Sequence, residues 1–356
     1  MPAASHVDQK SCRRILIEVL AFASILSGLA PALAATGADS EPKAQPERGG
    51  MKKLRVAIVS RTFFYVPLWA AIARGDFQRA GIEPEISILG NASQVDPLLD
   101  GTLDIAIATP ESILQNAAQG GPLRIVAGNT GRLTHSLISR APFRTIDALR
   151  NRRIGILNRV EGTFFQLQAM LAQHGLHYPG DYELVETGGV PPRHKALLEG
   201  QIDAGLQSIP WTYVAEEAGM NNLGDITRYV PDWQFVSINA NRVWADGNAE
   251  LLTRFLEVML RSTEWVYNHK AESAATAERE LPAARGHAEM AWDHYTETNA
   301  LTRDLSVHRK GLEVVLETQR TAGLLAADAP RSLDLYVDQT WLDAARQRLG
   351  PTRRTG

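Results

Sequence analysis

Cysteine is almost missing: Cys12 is the one thiol in 356 residues. That excludes a disulfide framework and any cysteine-based zinc site. A charge excess is missing as well. The 37 Lys and Arg stand against 40 Asp and Glu, a net charge of −3, which leaves no electrostatic footprint for nucleic acid. No Gly-x-Ser-x-Gly, P-loop or dinucleotide fingerprint occurs. The histidines offer no metal-ligand spacing, since His287 and His294, seven apart, come without a carboxylate partner. No catalytic residue, metal or cofactor is therefore expected. What is present, 44% apolar and 22% charged residues, belongs to a globular chain and excludes a disordered one. At about 150 residues per domain the length indicates two lobes.

The beginning of the chain reads as an address. Lys10, Arg13 and Arg14 precede an apolar run of 21 residues, 15–35, interrupted by Glu18. The run ends at Pro31 and the small-x-small triplet Ala32-Leu33-Ala34, the pattern of a cleaved signal peptide over 1–34. An uncleaved membrane anchor is disfavoured, because the run is rich in Ala, Ser and Gly and no basic cluster follows it. Arg13-Arg14 hints at the twin-arginine route, although its neighbours fit that route poorly. Cleavage near Ala34 leaves 34 basic and 38 acidic groups, net −4, and no cysteine. Such a product suits an oxidising periplasm. Residues 35–53 read as a flexible linker, within which Met51 is an alternative start.

From Leu54 short apolar strands alternate with amphipathic helices, the pattern of a largely parallel sheet covered on both faces. The alternation repeats itself. Arg55 to Arg61 aligns with Arg153 to Arg159 at an offset of 98, and Leu98 to Ala106 aligns with Leu197 to Gly205 at an offset of 99. Two segments in register over that distance indicate two similar α/β lobes, beginning near residues 54 and 150. In such sheets ligands sit beyond the carboxyl ends of the strands.

Leu197-x-x-Gly200-x-x-Asp203-Ala204, echoed at Leu98 to Ile105, resembles the solute-binding proteins of ABC importers of the nitrate/sulfonate/taurine type. So do Pro67-Leu68-Trp69 through Gly75-Asp76-Phe77, and Gly323-Leu324-Leu325 followed by Leu335 to Leu342. The resemblance implies the type II periplasmic-binding-protein fold, two α/β lobes joined by a two-strand hinge. It divides the chain into lobe 1 over 54–136, lobe 2 over 137–237, a return to lobe 1 over 238–345, and a tail over 346–356. It also implies a monomer that closes on a small anionic ligand and docks on a permease in the inner membrane. An enzyme like the pyrimidine-phosphate synthase on the same fold is the main alternative, but that chemistry uses a cysteine cluster the exported chain would lack. A sensing module without a permease is the third reading.

The loops after the strands are expected to line the cleft. Arg61 and Arg159 occupy the same repeat position in the two lobes. A guanidinium from each side would clamp a carboxylate, sulfonate or phosphate. Thr130 and Arg132 lie on a third such loop, and Thr109 and Ser208 end strands. Gly162 and Thr163 open a helix whose free N–H groups suit an anion. Glu111 opens another, and if it faces the cleft it calls for an amine or hydroxyl on the ligand. Phe64, Tyr65 and Trp211 are the aromatic candidates and favour a flat, aromatic anion. On this reading Arg159→Ala weakens anion binding at least about tenfold, some 1.4 kcal/mol.

Overall fold

In the computed structural model, residues 50–281 and 284–350 are described, all within one compact unit, Gly49–Gly356. The signal peptide, most of the linker and the end of the tail lie outside the described residues. The strands are β1 (Lys52–Ile58), β2 (Ile82–Ile88), β3 (Ile105–Ala108), β4 (Leu123–Thr130), β5 (His135–Ser139), β6 (Arg153–Ile156), β7 (Glu183–Glu186), β8 (Ala204–Ser208), β9 (Asn221–Asp225) and β10 (Val236–Asn241). The helices are α1 (Val66–Ala73), α2 (Asp76–Arg79), α3 (Val95–Asp100), α4 (Glu111–Ala118), α5 (Gly162–Ala172), α6 (Val190–Leu198), α7 (Trp211–Glu217), α8 (Arg242–Gly247), α9 (Ala249–Asn268), α10 (Lys270–Glu280), α11 (Ala288–Glu297), α12 (Arg309–Thr321) and α13 (Thr340–Leu349).

Two five-stranded sheets result, ordered β2-β1-β3-β10-β4 and β7-β6-β8-β5-β9. We call the first lobe 1 and the second lobe 2. The inner strands are buried, as strands covered on both faces must be, and β3 (Ile105-Ala106-Ile107-Ala108) is apolar throughout. The sheets are mixed, however, and not largely parallel as the alternation predicts. β10 runs antiparallel to β3 and β4, and β5 antiparallel to β8 and β9. The cause is the crossing of the chain. It leaves lobe 1 after Thr130 and enters lobe 2 as β5, then leaves after Asp225 and re-enters lobe 1 as β10. Each sheet thus receives one strand arriving from the other lobe, against the direction of its own.

The repeated Leu-x-x-Gly-x-x-Asp motif has a physical content that is the same in both lobes. Leu98 and Leu197 are buried. Gly101 (φ 76°) and Gly200 (φ 69°) take the left-handed conformation that ends α3 and α6. The Asp then returns to the start of the first strand of its lobe. Asp104 Oδ2 accepts from the Arg55 backbone N at 2.8 Å, and Asp203 Oδ2 from the Arg153 backbone N at 3.0 Å. Each aspartate also faces the guanidinium of the same arginine.

After β10 the chain packs helices on lobe 1. α9 lies against α1 and α13, and Phe255 on α9 stacks on Phe77 of α2 with ring centroids 5.6 Å apart. The segment after α12 extends the edge at β4, where Ile125 N donates to Tyr336 O and Asp338 N to Ile125 O, both at 2.9 Å. Among the described residues no helix is long and apolar enough to cross a membrane. Phe255→Ala empties one side of the stacked pair and is expected to lower the unfolding free energy by about 3–5 kcal/mol. Urea unfolding followed by circular dichroism measures it; a loss below about 1 kcal/mol would mean that α9 is not packed as described.

Candidate functional site

The carboxyl ends of the strands of both lobes meet at one place, and two connected chambers lie there. The inner one is tight, with about 40 Å³ of free space, between Ser60, Phe64, Tyr65 and Thr109 of lobe 1, His135 and Phe235 of the crossings, and Leu157, Glu161, Thr163, Val190 and Arg193 of lobe 2. The outer one, about 560 Å³, is of a size suited to a small molecule and opens between Arg61, Ile88 and Asn91 on one side and Pro191, Pro192 and Trp211 on the other. Val59, Ser60 and Gly189 line both.

Arg193 is the charged centre of the inner chamber. It is 2% exposed, in the first turns of α6. Its stem lies over two bare glycines paired between β6 and β8, Gly155 and Gly205. A Cβ on Gly205 would lie 2.9 Å from Arg193 Cδ, and one on Gly155 3.2 Å from Cγ. The guanidinium donates through Nε to Leu206 O at 2.7 Å and through one terminal nitrogen to Gly188 O at 3.2 Å. Among the described residues no carboxylate comes within 4.0 Å of it, the limit within which every ion pair of the structure falls. Burial pulls its pKa down to about 10, and Glu161 opposes that shift. The group keeps its charge at neutral pH.

Around it the polar groups are held neutral or occupied. His135 is buried, with Nδ1 unpartnered. Burial, reinforced by Arg193, lowers its pKa to about 3, so the imidazole is uncharged across physiological pH. Its register partner across β5 and β8 is Ser208, whose Oγ is likewise buried without a partner. Glu161 caps α5, accepting from Thr163 N at 3.0 Å and from the Thr163 hydroxyl. Burial raises its pKa. The aromatic wall is Phe64, Tyr65 and Phe235, with Phe64 edge-on to Phe235 at 5.4 Å.

The residues named from the sequence divide among several places. Phe64, Tyr65, Thr109 and Thr163 line the inner chamber, and Arg61 and Trp211 the outer. Tyr65 is a wall and not a polar contact, because its hydroxyl donates to Ile107 O at 2.9 Å and accepts from Val59 N at 3.1 Å. The structure does not form the expected arginine clamp. Arg61 is exposed and paired with Glu280. Arg159 is exposed and engaged with Tyr178 and Glu186 inside its own lobe. Both are exposed, whereas Arg193 is buried. Arg132 donates to Thr298 O at 3.2 Å and lines neither chamber. Thr130 is buried and its hydroxyl accepts from Asn129. The start of α5 is not a free anion site, since Glu161 of the chain itself takes the N–H of Thr163.

Arg193, Glu161, His135 and Phe235 were not named from the sequence. Arg193 stands 99 residues after Gln94, the offset of the leucines that follow each of them. Gln94 is likewise buried and donates to a backbone carbonyl, Thr109 O, at 2.8 Å. No group of three or more His, Cys, Asp or Glu among the described residues is disposed to hold a metal; His287 pairs with Glu217 instead.

Three of the contacts between the lobes set a lobe 1 side chain on a lobe 2 glycine. A Cβ on Gly189 would lie 2.8 Å from Ser60 Oγ, one on Gly188 3.1 Å from Asn91 Oδ1, and one on Gly162 2.5 Å from Glu111 Oε1 and 2.7 Å from Trp233 Nε1. Gly162 therefore has a place in the seam that no other residue fits.

Two lobes, each an α/β sandwich on a mixed sheet, joined by two crossings and closed over a small polar chamber, make the fold of the periplasmic binding proteins. The chain belongs to the family described as NMT1/THI5 like, whose pattern matches residues 63–273. It is similar to YtlA of Bacillus subtilis (strain 168), 22% identical over 238 residues, which are 64% of this chain and 70% of that one. Among solved structures it is similar to the periplasmic nitrate-binding protein NrtA from Synechocystis PCC 6803, with a TM-score of 0.70 at 13% identity over 83% of this chain and 89% of that one. It is also similar to the alkanesulfonate-binding protein SsuA from Xanthomonas axonopodis pv. citri bound to MOPS, with a TM-score of 0.62 at 18% identity over 83% and 98%. The resemblance to solute-binding proteins of the nitrate and sulfonate type holds.

Gly162→Val is expected to leave the fold intact and wedge the seam. Small-angle scattering would then report a larger radius of gyration than the wild type, and an unchanged radius would show that the lobes do not meet at Gly162.

Proposed function

We propose that the chain is an exported binding protein that holds a small organic anion on Arg193 between its lobes and delivers it to an ABC importer in the inner membrane. The observation that carries the reading is a buried guanidinium with two carbonyl partners and, among the described residues, no carboxylate within 4.0 Å, lining the inner chamber between the lobes. A buried cation is stable only when anionic or acceptor groups surround it, and a carboxylate, sulfonate or phosphate supplies both charge and paired acceptors. The wall of Phe64, Tyr65 and Phe235 favours a ligand with a flat or apolar part beside its charged head. Neutral His135 adds a polar contact without competing charge. Binding both lobes at once stabilises the closed form, the state that a permease distinguishes from the open one. The names of NrtA and SsuA, which bind anions, support the reading, as does the signal-like beginning of the sequence.

Mass spectrometry of small molecules released from the purified protein, followed by calorimetry with the compound found, tests this. Arg193→Gln is expected to weaken its binding at least about tenfold, or 1.4 kcal/mol. Arg159→Ala, with a side chain already engaged in its own lobe, is expected to change it less than about twofold. Unchanged affinity in Arg193→Gln, or release of a cation only, would overturn the assignment.

A further inference from the structure

We propose that Glu111 is a proton-binding site that fills when the lobes close, so that closure of the cleft takes up one proton. Glu111 opens α4 in lobe 1 and is 2% exposed, and neither carboxyl oxygen has a hydrogen-bond partner. What covers it is the other lobe. Its Oε1 would lie 2.5 Å from a Cβ on Gly162, the first residue of α5. The Trp233 indole, on the return crossing, lies against the same glycine. With the lobes apart, Gly162 is withdrawn, water reaches the carboxyl, and it ionises as an ordinary glutamate does. With the lobes closed, an ionised carboxylate there would be sealed from water, a state that a carboxyl avoids by taking a proton. The Thr109 hydroxyl, the backbone N–H of Glu111 itself and the Trp233 indole offset only part of that cost.

The charges around it point the same way. The ionisable group facing Glu111 across the seam is a second acid, Glu161, and no cation forms an ion pair with Glu111. Arg193 on α6 acts on Glu161, and His135 on β5 stays uncharged. Burial first, and then Glu161, push the Glu111 pKa up from 4.5 to about 8. The sign follows. Between those two values the closed form holds a proton that the open form lacks, so acid favours closure, by up to about tenfold per pH unit. Above the upper value both forms are ionised, and the closed form has lost that help.

The proposal does not depend on which ligand the cleft takes, and its test needs none. In the full chain with Cys12→Ser, the pair Ser60→Cys and Gly189→Cys places thiols where a Cβ on Gly189 would lie 2.9 Å from Ser60 Cβ, near enough for a disulfide after a small adjustment. Oxidation locks the lobes together. Infrared difference spectroscopy of the locked protein should show the carbonyl stretch of a protonated, buried carboxyl at about pH 6.5, lost above about pH 9, and absent when Glu111→Gln is added. A locked protein with no such band at pH 6.5 would overturn the proposal, and so would a band that survives Glu111→Gln, which would belong to Glu161. Failure of the cysteines to oxidise would overturn it too, because the seam that covers Glu111 would not exist.

Discussion

A guanidinium taken out of water must be given its surroundings, and Arg193 dictates much of what lies at the centre of this protein. Two glycines at facing positions of β6 and β8 clear the channel for its stem. Two backbone carbonyls, of Leu206 and Gly188, take part of its donor capacity. The neighbouring histidine is kept uncharged, and the neighbouring glutamate is turned toward the start of α5. The chamber then holds one buried arginine beside one buried glutamate at the junction of the lobes, in a chain whose overall balance is slightly acidic. Net charge says nothing about what such a chamber receives.

The closed arrangement is specific because side chains of one lobe meet bare backbone of the other. Ser60, Asn91 and Glu111 each rest on a glycine, at Gly189, Gly188 and Gly162. Contacts of this kind have little tolerance, since one added methyl group would overlap atoms already present. At the back, the crossings are fixed by a different chemistry. Phe235 N donates to Thr130 O at 3.2 Å, joining the two strands that cross. Tyr295, from a helix of lobe 1, shares its hydroxyl between Thr134 Oγ1 at 2.7 Å and Ile209 O at 3.2 Å. The back of the cleft is hydrogen-bonded and the front is packed, which is what a hinge and a lip require.

The sequence revealed the fold more completely than the site, and the reason is physical. Strand runs such as Leu54 to Val59 and the helix over Ala249–Asn268 carry their periodicity in every residue. The duplicated motif announced two lobes because a buried leucine, a left-handed glycine and a strand-capping aspartate are all needed at fixed spacing. A binding arginine has no such spacing. Arg61 and Arg159 stand just after the strands, where a ligand contact is expected, yet side-chain direction and nearby carboxylates sent both to the surface. Arg193 looks in sequence like one more charged residue on a helix; only its burial over Gly155 and Gly205, pairs of residues far from it in the chain, marks it out. The near absence of cysteine excluded one chemistry and decided nothing else; the binding-protein class rests on the relatives and the fold.

The aspartate clamps bear on how such a protein changes over time. Asp104 and Asp203 act at the amino ends of the strands, and the chambers lie at the carboxyl ends of the same strands. The aspartates that tie each lobe together and the residues that line the chambers therefore occupy opposite ends of each sheet. Descent can rewrite the lining while the scaffold is inherited unchanged. Similarity of architecture to NrtA and SsuA at 13% and 18% identity is the record such a division of labour would leave.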